Sequence, residues 1–264
     1  MRTNDLLRLS AAASVVLFAA CSKDTTSPSL IDQSTLTTDV ASNAGDAVAL
    51  DVATMTGNET SAALAAYAPG TAIGGLRFDV VASDSVTWAR TRTCFDSTGT
   101  SVTCGTSAVR TIVTHVTFAG YVNDTAENGA VFTGAFGRTA DDTLTRNFTG
   151  STEVSRTHDG VSAGTDTTSF VGPNVTRTYE EAGTDSVDAV VFNVPRSSFP
   201  YPASGTIIRN VAAQATFKNA TETQTTDIAK RVEVDFNGTI VATLKIDNKT
   251  CDLNLLTHRV TNCQ

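Results

Sequence analysis

The sequence predicts an all-β protein with a short N-terminal helix, its strands laid down as one antiparallel meander. Three observations predict it. Threonine occurs 45 times in 264 residues, with valine frequent beside it, and β-branched side chains suit a pleated strand because their χ1 is restricted. From about residue 76 onward, short strand-like runs follow one another between turn residues, and no helical pattern alternates with them, which argues against a parallel α/β sheet. Only between Leu36 and Met55 do apolar residues fall near helical spacing, at Val40, Ala44, Ala47, Val48 and Val52. An amphipathic helix is expected over 36–56, with Gly45 its weak point. The runs amount to on the order of ten strands, enough for a barrel, a half-barrel or a two-layer sandwich. Period-2 patterns do not choose among these.

The last third alternates best. Ile207, Val211, Ala213, Ala215 and Phe217 share one face, with Asn210, Gln214, Thr216 and Lys218 on the other. The next run sets Ile228, Val232, Val234 and Phe236 against Arg231, Glu233 and Asp235, and the one after sets Ile240, Ala242, Leu244 and Ile246 against Thr243, Lys245 and Asp247. A two-residue turn at Asn237-Gly238 would split the apolar residues between faces. A bulged turn with Gly238 left-handed pairs Val234 with Ile240 and Val232 with Ala242, and keeps one apolar face. At Asn248-Lys249 the same face is kept by Leu244 opposite Leu253 and Ile246 opposite Cys251. Earlier runs alternate less cleanly. Val109 and Val113 sit out of phase with Ile112, Val116 and Phe118, and Ala189 to Val194 is nearly all apolar; both predict burial on two faces. The segment 195–202 reads as a connection between sheet regions.

The first twenty-one residues carry the clearest signal. Arg2 and Arg8 precede an apolar run from Ala11 to Ala20, which ends at Ala19-Ala20-Cys21. The run is too short to span a bilayer. This segment resembles the lipobox of bacterial lipoproteins, with Phe18 where that motif usually has Leu. The resemblance implies cleavage before Cys21, a lipid on its thiol and anchoring by acyl chains; Ser22 in the following position implies delivery to the outer membrane. The expected layout is a signal peptide at 1–20, a polar tether at 21–35 and a single β-rich domain at 36–264. The chain as a whole resembles uncharacterised bacterial outer-envelope lipoproteins, specifically over residues 1–21 and in composition beyond.

Four cysteines remain. An even number in an exported chain predicts disulfides, and four allow three pairings. Spacing favours Cys94 with Cys104 across the turn at 96–100, and Cys251 with Cys263 around 253–260. A zinc site lacks any Cys-x-x-Cys knuckle. The net charge of −8 becomes −9 once Arg2, Arg8 and Asp5 are removed, a poor match for nucleic acid or for anionic lipid heads.

Candidate chemistry is thin. Gly160-Val161-Ser162-Ala163-Gly164 fits the nucleophile-elbow pattern, with His158 and Asp159 before it, but no helix follows as that elbow requires; the stretch is expected to be a hairpin loop. His115 falls in a strand pattern and His158 and His258 in turns, with no metal spacing among them. Glu153, Glu180 and Glu233 could meet in a sugar cleft, although Trp88 and four tyrosines provide few aromatic platforms. The Phe199-Pro200-Tyr201-Pro202 loop is expected to pack its rings over the end of the sheet. No cofactor, metal or catalytic residue is assigned. The expected role is a non-enzymatic scaffold or binding module on the membrane, its ligand or protein partner unidentified. The alternatives are a half-barrel carrier of a hydrophobic ligand and, more weakly, a hydrolase.

Overall fold

Almost every strand of this protein finds its partner next to it in sequence, so β-branched stretches separated by short turns build a meander that is interrupted once, at its N-terminal edge. The computed structural model describes residues 30–56, 86–125, 129–195 and 201–264. Among these residues one helix, α1 (Gln33–Thr56), precedes eleven strands: β1 (Val86–Phe95), β2 (Ser101–Val102), β3 (Thr111–Thr125), β4 (Val131–Thr149), β5 (Thr152–Val171), β6 (Thr176–Asn193), β7 (Ser204–Lys218), β8 (Thr223–Asp235), β9 (Val241–Ile246), β10 (Lys249–Asn254) and β11 (Val260–Thr261). They form one open antiparallel sheet in the order β11-β10-β9-β8-β7-β6-β5-β4-β3-β1-β2. Of the ways a meander can curl, the open one is realised.

The sheet curves around α1. From one helix, Asp39 reaches Tyr179 on β6, Asp51 reaches Arg138 on β4, and Gly45 lies against β10 and β11. A Cβ on Gly45 would sit 3.0 Å from Leu253 Cδ1 and 3.2 Å from Val260 Cγ2, so the glycine that weakens the helical pattern also lets the helix approach the sheet. Every residue from 40 to 53 is buried. The amphipathic expectation is therefore corrected: Asp39, Ser42, Asn43, Asp46 and Asp51 are buried too, because a sheet that wraps the helix leaves no wet face. The helix starts at Gln33, ahead of the expected 36. The Asp32 carboxylate accepts the Ser34 and Thr35 N–H groups as an N-cap, and hydroxyl bonds from Thr35 and Ser34 pull its pKa down to about 2.

The inner face of β7–β10 supplies most of the sheet's share of the apolar core, with Ile207, Val232, Val234, Leu244 and Leu253 fully buried. Two expected registers are corrected. Val234 pairs with Leu244 and Val232 with Ile246, so the β8–β9 connection is longer than a bulged turn. Its residues are used elsewhere: Phe236 N–H bonds to Gly205 O, and Gly238 N–H to Pro202 O. The β9–β10 turn is tighter than expected, with Leu244 opposite Cys251 and Ala242 opposite Leu253. Burial on both faces at 189–194 is likewise corrected. Ala189, at φ 46°, is an extra residue in β6 against both neighbours, and this bulge returns Val190 and Phe192 to the core. In β3, Val116 and Phe118 face inward while Val113 is exposed. Val109 is buried just before that strand.

Candidate functional site

Both disulfides form as spacing predicts, Cys94–Cys104 and Cys251–Cys263, with Cα separations of 5.3 and 4.1 Å. Each staples an edge of the sheet, β2 onto β1 and the C-terminal turn onto β10. Cys94 lies opposite Val102 in the ladder, so its partner sits two residues beyond direct opposition. Cys21 and Phe199 lie outside the described residues; Tyr201 packs against the core.

The segment Gly160–Gly164 is corrected from a hairpin loop to the middle of β5. Ser162 points inward and is 4% exposed. It donates to Asp185 Oδ2 (2.9 Å) and accepts from Arg138 Nη2 (2.7 Å). The group that accepts from its hydroxyl is thus a carboxylate that also pairs with Arg138 and Arg209. His158 is also corrected, from a turn to a buried position on β5. The three glutamates do not meet. Glu153 lies in the ladder opposite Phe148, near the start of β5, whereas Glu180 pairs opposite Thr167, fourteen positions along that strand, roughly 45 Å away. Glu233 is on β8, tied to Lys245 and Arg231. Among the described residues no group of histidine, cysteine or carboxylate side chains is arranged to hold a metal.

What the inner face of β4–β7 does bring together is a buried ionic layer. Arg138 (β4) bonds to Asp51 of α1 at 2.9 Å and to Asp185 of β6. Arg209 (β7) bonds to Glu181 at 2.6 Å and Asp185 at 3.0 Å, and lies 3.6 Å from Asp166 of β5. The Arg209 guanidinium occupies the space over Gly183 where a Cβ would fall, so only glycine fits beneath it. Burial works against the Arg209 cation, but Asp185, Glu181 and Asp166 outweigh it and raise its pKa. Four carboxyls thus face two guanidiniums. Burial raises Asp51 to about 7 against the pull of Arg138, with Asp185 adding to the rise. Burial and then the Glu181 charge raise Asp166 to about 7. Both shifts favour the protonated carboxyl, which lowers the excess negative charge of the layer in its low-dielectric surroundings. Further along α1, Asp39 accepts from Tyr179 Oη (2.5 Å) and Arg177 Nη1 (3.2 Å), and burial, followed by the Asp39 charge, raises the Tyr179 pKa.

At the C-terminal end of α1 the inner face opens into a cleft of about 210 Å³ between β1, β3, β4 and β5. His158 and Asp142 line it, with Nδ1 2.9 Å from Asp142 Oδ2 and the ring edge-on to Phe192. Nε2 of His158 is buried without a hydrogen-bond partner; such an atom costs about 1–3 kcal/mol. Arg92 and Arg156 line the same cleft. Glu153 holds Arg156 through Nε (2.6 Å) and Arg146 through Nη2 (2.5 Å); the Arg146 bond, reinforced by Arg156, brings the Glu153 pKa down to about 2. The outer face over the ionic layer is different, a shallow trough of about 620 Å³ lined by small side chains such as Ala163, Thr165, Ala182, Thr184 and Ala212.

None of the ionic-layer residues was expected as a site. Their signal is phase: Arg209 stands in line with Ile207 and Val211, Glu181 and Asp185 with Tyr179 and Val187, and Arg138 with Phe136 and Ala140. A charge at an inward position of a strand marks a buried partner. Together these features define an open antiparallel meander wrapped on a helix and locked to it by buried ion pairs. Compared with protein-family models, curated proteins and solved structures, the chain matches none.

Proposed function

We propose that this is a lipid-anchored protein of the bacterial outer envelope whose β domain acts as a non-enzymatic scaffold or binding module. The lipobox-like end at Cys21 supports the anchor. The observation that carries the module reading is the filled interior: α1 occupies the concave side of the sheet, with Ala44, Ala47 and Val48 wholly buried. A carrier needs a lined pocket, typically on the order of 300–1,000 Å³, in the space that the helix takes. A hydrolase needs a serine that substrate can reach, whereas Ser162 is buried and the carboxylate that accepts from it is committed to Arg138 and Arg209. The reading is tested with the purified protein and its Cys21→Ser variant. The variant is expected to lose membrane association and acyl mass, to co-purify with no lipid and to remain unlabelled by a fluorophosphonate. A mature wild-type chain without acyl mass contradicts the anchor. One lipid per chain by native mass spectrometry contradicts the module reading in favour of a carrier, and labelling abolished by Ser162→Ala contradicts it in favour of an enzyme.

A further inference from the structure

We propose that the cleft at the C-terminal end of α1 binds a small carboxylate bearing a short apolar tail, with His158 and Arg156 as its anion-binding groups. The inference goes beyond the scaffold reading and does not depend on the lipid anchor. Three observations converge. His158 is 1% exposed, its Nδ1 is committed to Asp142, and its Nε2 is buried without a partner. A native buried nitrogen left in that state calls for a ligand or water that completes it. Arg156 is held by Glu153 through Nε alone, which leaves both terminal nitrogens of the guanidinium fork for a planar, two-oxygen acceptor. Arg92 adds a second cation to the lining, in a chain whose net charge is −8.

The remaining wall chooses between anions. Ile112 and Leu144 line the cleft with the cations, and an apolar wall rewards an apolar part that inorganic phosphate lacks. The cleft's 210 Å³ equals the bulk volume of roughly seven waters, which suits a few-carbon acid and not a long acyl chain. The carboxylate accepts from Nε2–H while Nδ1 stays on Asp142; Asp142, Arg92 and Arg156 are the charged groups lining the cleft around the ring.

The test is titration of the full-length protein with butyrate, acetate and inorganic phosphate, followed by calorimetry and by the imidazole NMR signals of its three histidines. Butyrate is expected to bind saturably and to shift the His158 signals while leaving His115 and His258 in place. Two extra buried methylenes should make butyrate about tenfold tighter than acetate, with phosphate no tighter than acetate. Arg156→Gln should weaken butyrate at least about tenfold by removing a charge-assisted pair. If Arg156→Gln fails to fold, Ile112→Trp fills the cleft from its apolar wall and should abolish binding. Absence of saturable binding, phosphate tighter than butyrate, or affinity unchanged in the folded variant overturns the proposal.

Discussion

The two halves of the sheet turn different chemistry inward. Strands β7–β10 present Ile207, Val211, Val232, Val234, Leu244 and Leu253, while β4–β6 interleave Phe132, Phe136, Tyr179 and Phe192 with Arg138, Ser162, Asp166, Glu181 and Asp185. The apolar half stabilises through area removed from water and accepts any arrangement that keeps its face covered. The polar half accepts only one, since each charge must find its partner at hydrogen-bond distance or stay buried alone. Stability and uniqueness thus have separate sources: the apolar strands hold α1 in, and the ionic layer fixes its depth and rotation through Asp51.

The comparison breaks most visibly at Arg209, the one charge that the apolar half lends to the polar one. Arg209→Met leaves Glu181, Asp185 and Asp166 without their shared cation and should cost about 3–5 kcal/mol in urea unfolding at neutral pH. A loss below about 1 kcal/mol would show that the layer contributes no selective constraint. Leu244→Ala, on the apolar side, should cost about 3 kcal/mol through lost transfer energy and cavity formation, with no dependence on pH.

The pH response sharpens the contrast. Asp51 and Asp166 rise from 3.8 to about 7 on folding, so the folded chain keeps protons that the unfolded chain releases. Their contribution is present in full below about pH 4, declines as pH climbs and is gone above about pH 7. Between pH 6 and pH 8 each group should subtract about 1 kcal/mol. Glu153, drawn down to about 2, acts in the opposite sense but only below its unfolded value near 4.5, so it does not mask the slope. Thermal unfolding from pH 5 to pH 8 should show a falling midpoint, shallower in Asp51→Asn. A midpoint that rises over that range contradicts the protonated layer.

The same contrast explains what was legible in the sequence. The faces of β7, β8 and β9 were readable because apolar residues recur every second position, and both disulfides followed from local spacing. The registers were not. Val234 faces Leu244 where Ile240 was expected, a slip of four residues, and Leu244 faces Cys251 where Leu253 was expected, a slip of two. An even slip preserves the apolar face, so an alternation pattern cannot detect it. The ionic layer was missed for a related reason. Arg138, Asp185 and Arg209 fall in the inward phase, but period reading counts a charge as a break in the pattern. Ser162 was misplaced because two glycines around a serine imitate a loop; here Gly160 and Gly164 leave room for the close backbone of β4 instead. The helix is legible in its apolar spacing but reads as having a wet side, since the aspartates that bind the sheet look like solvent-facing residues.

Amide hydrogen exchange distinguishes a helix α1 that is part of the core from one that is a removable lid. Enclosed on every side from 40 to 53 and tied through Asp39 and Asp51, the helix should open only when the domain unfolds. Its amides should then exchange as slowly as those of β7 and β8, the most protected class in such a fold. Exchange of α1 at least about a hundredfold faster than β7, with the sheet still protected, would mean that the helix leaves a standing half-barrel. That result would contradict the filled interior and with it the scaffold reading.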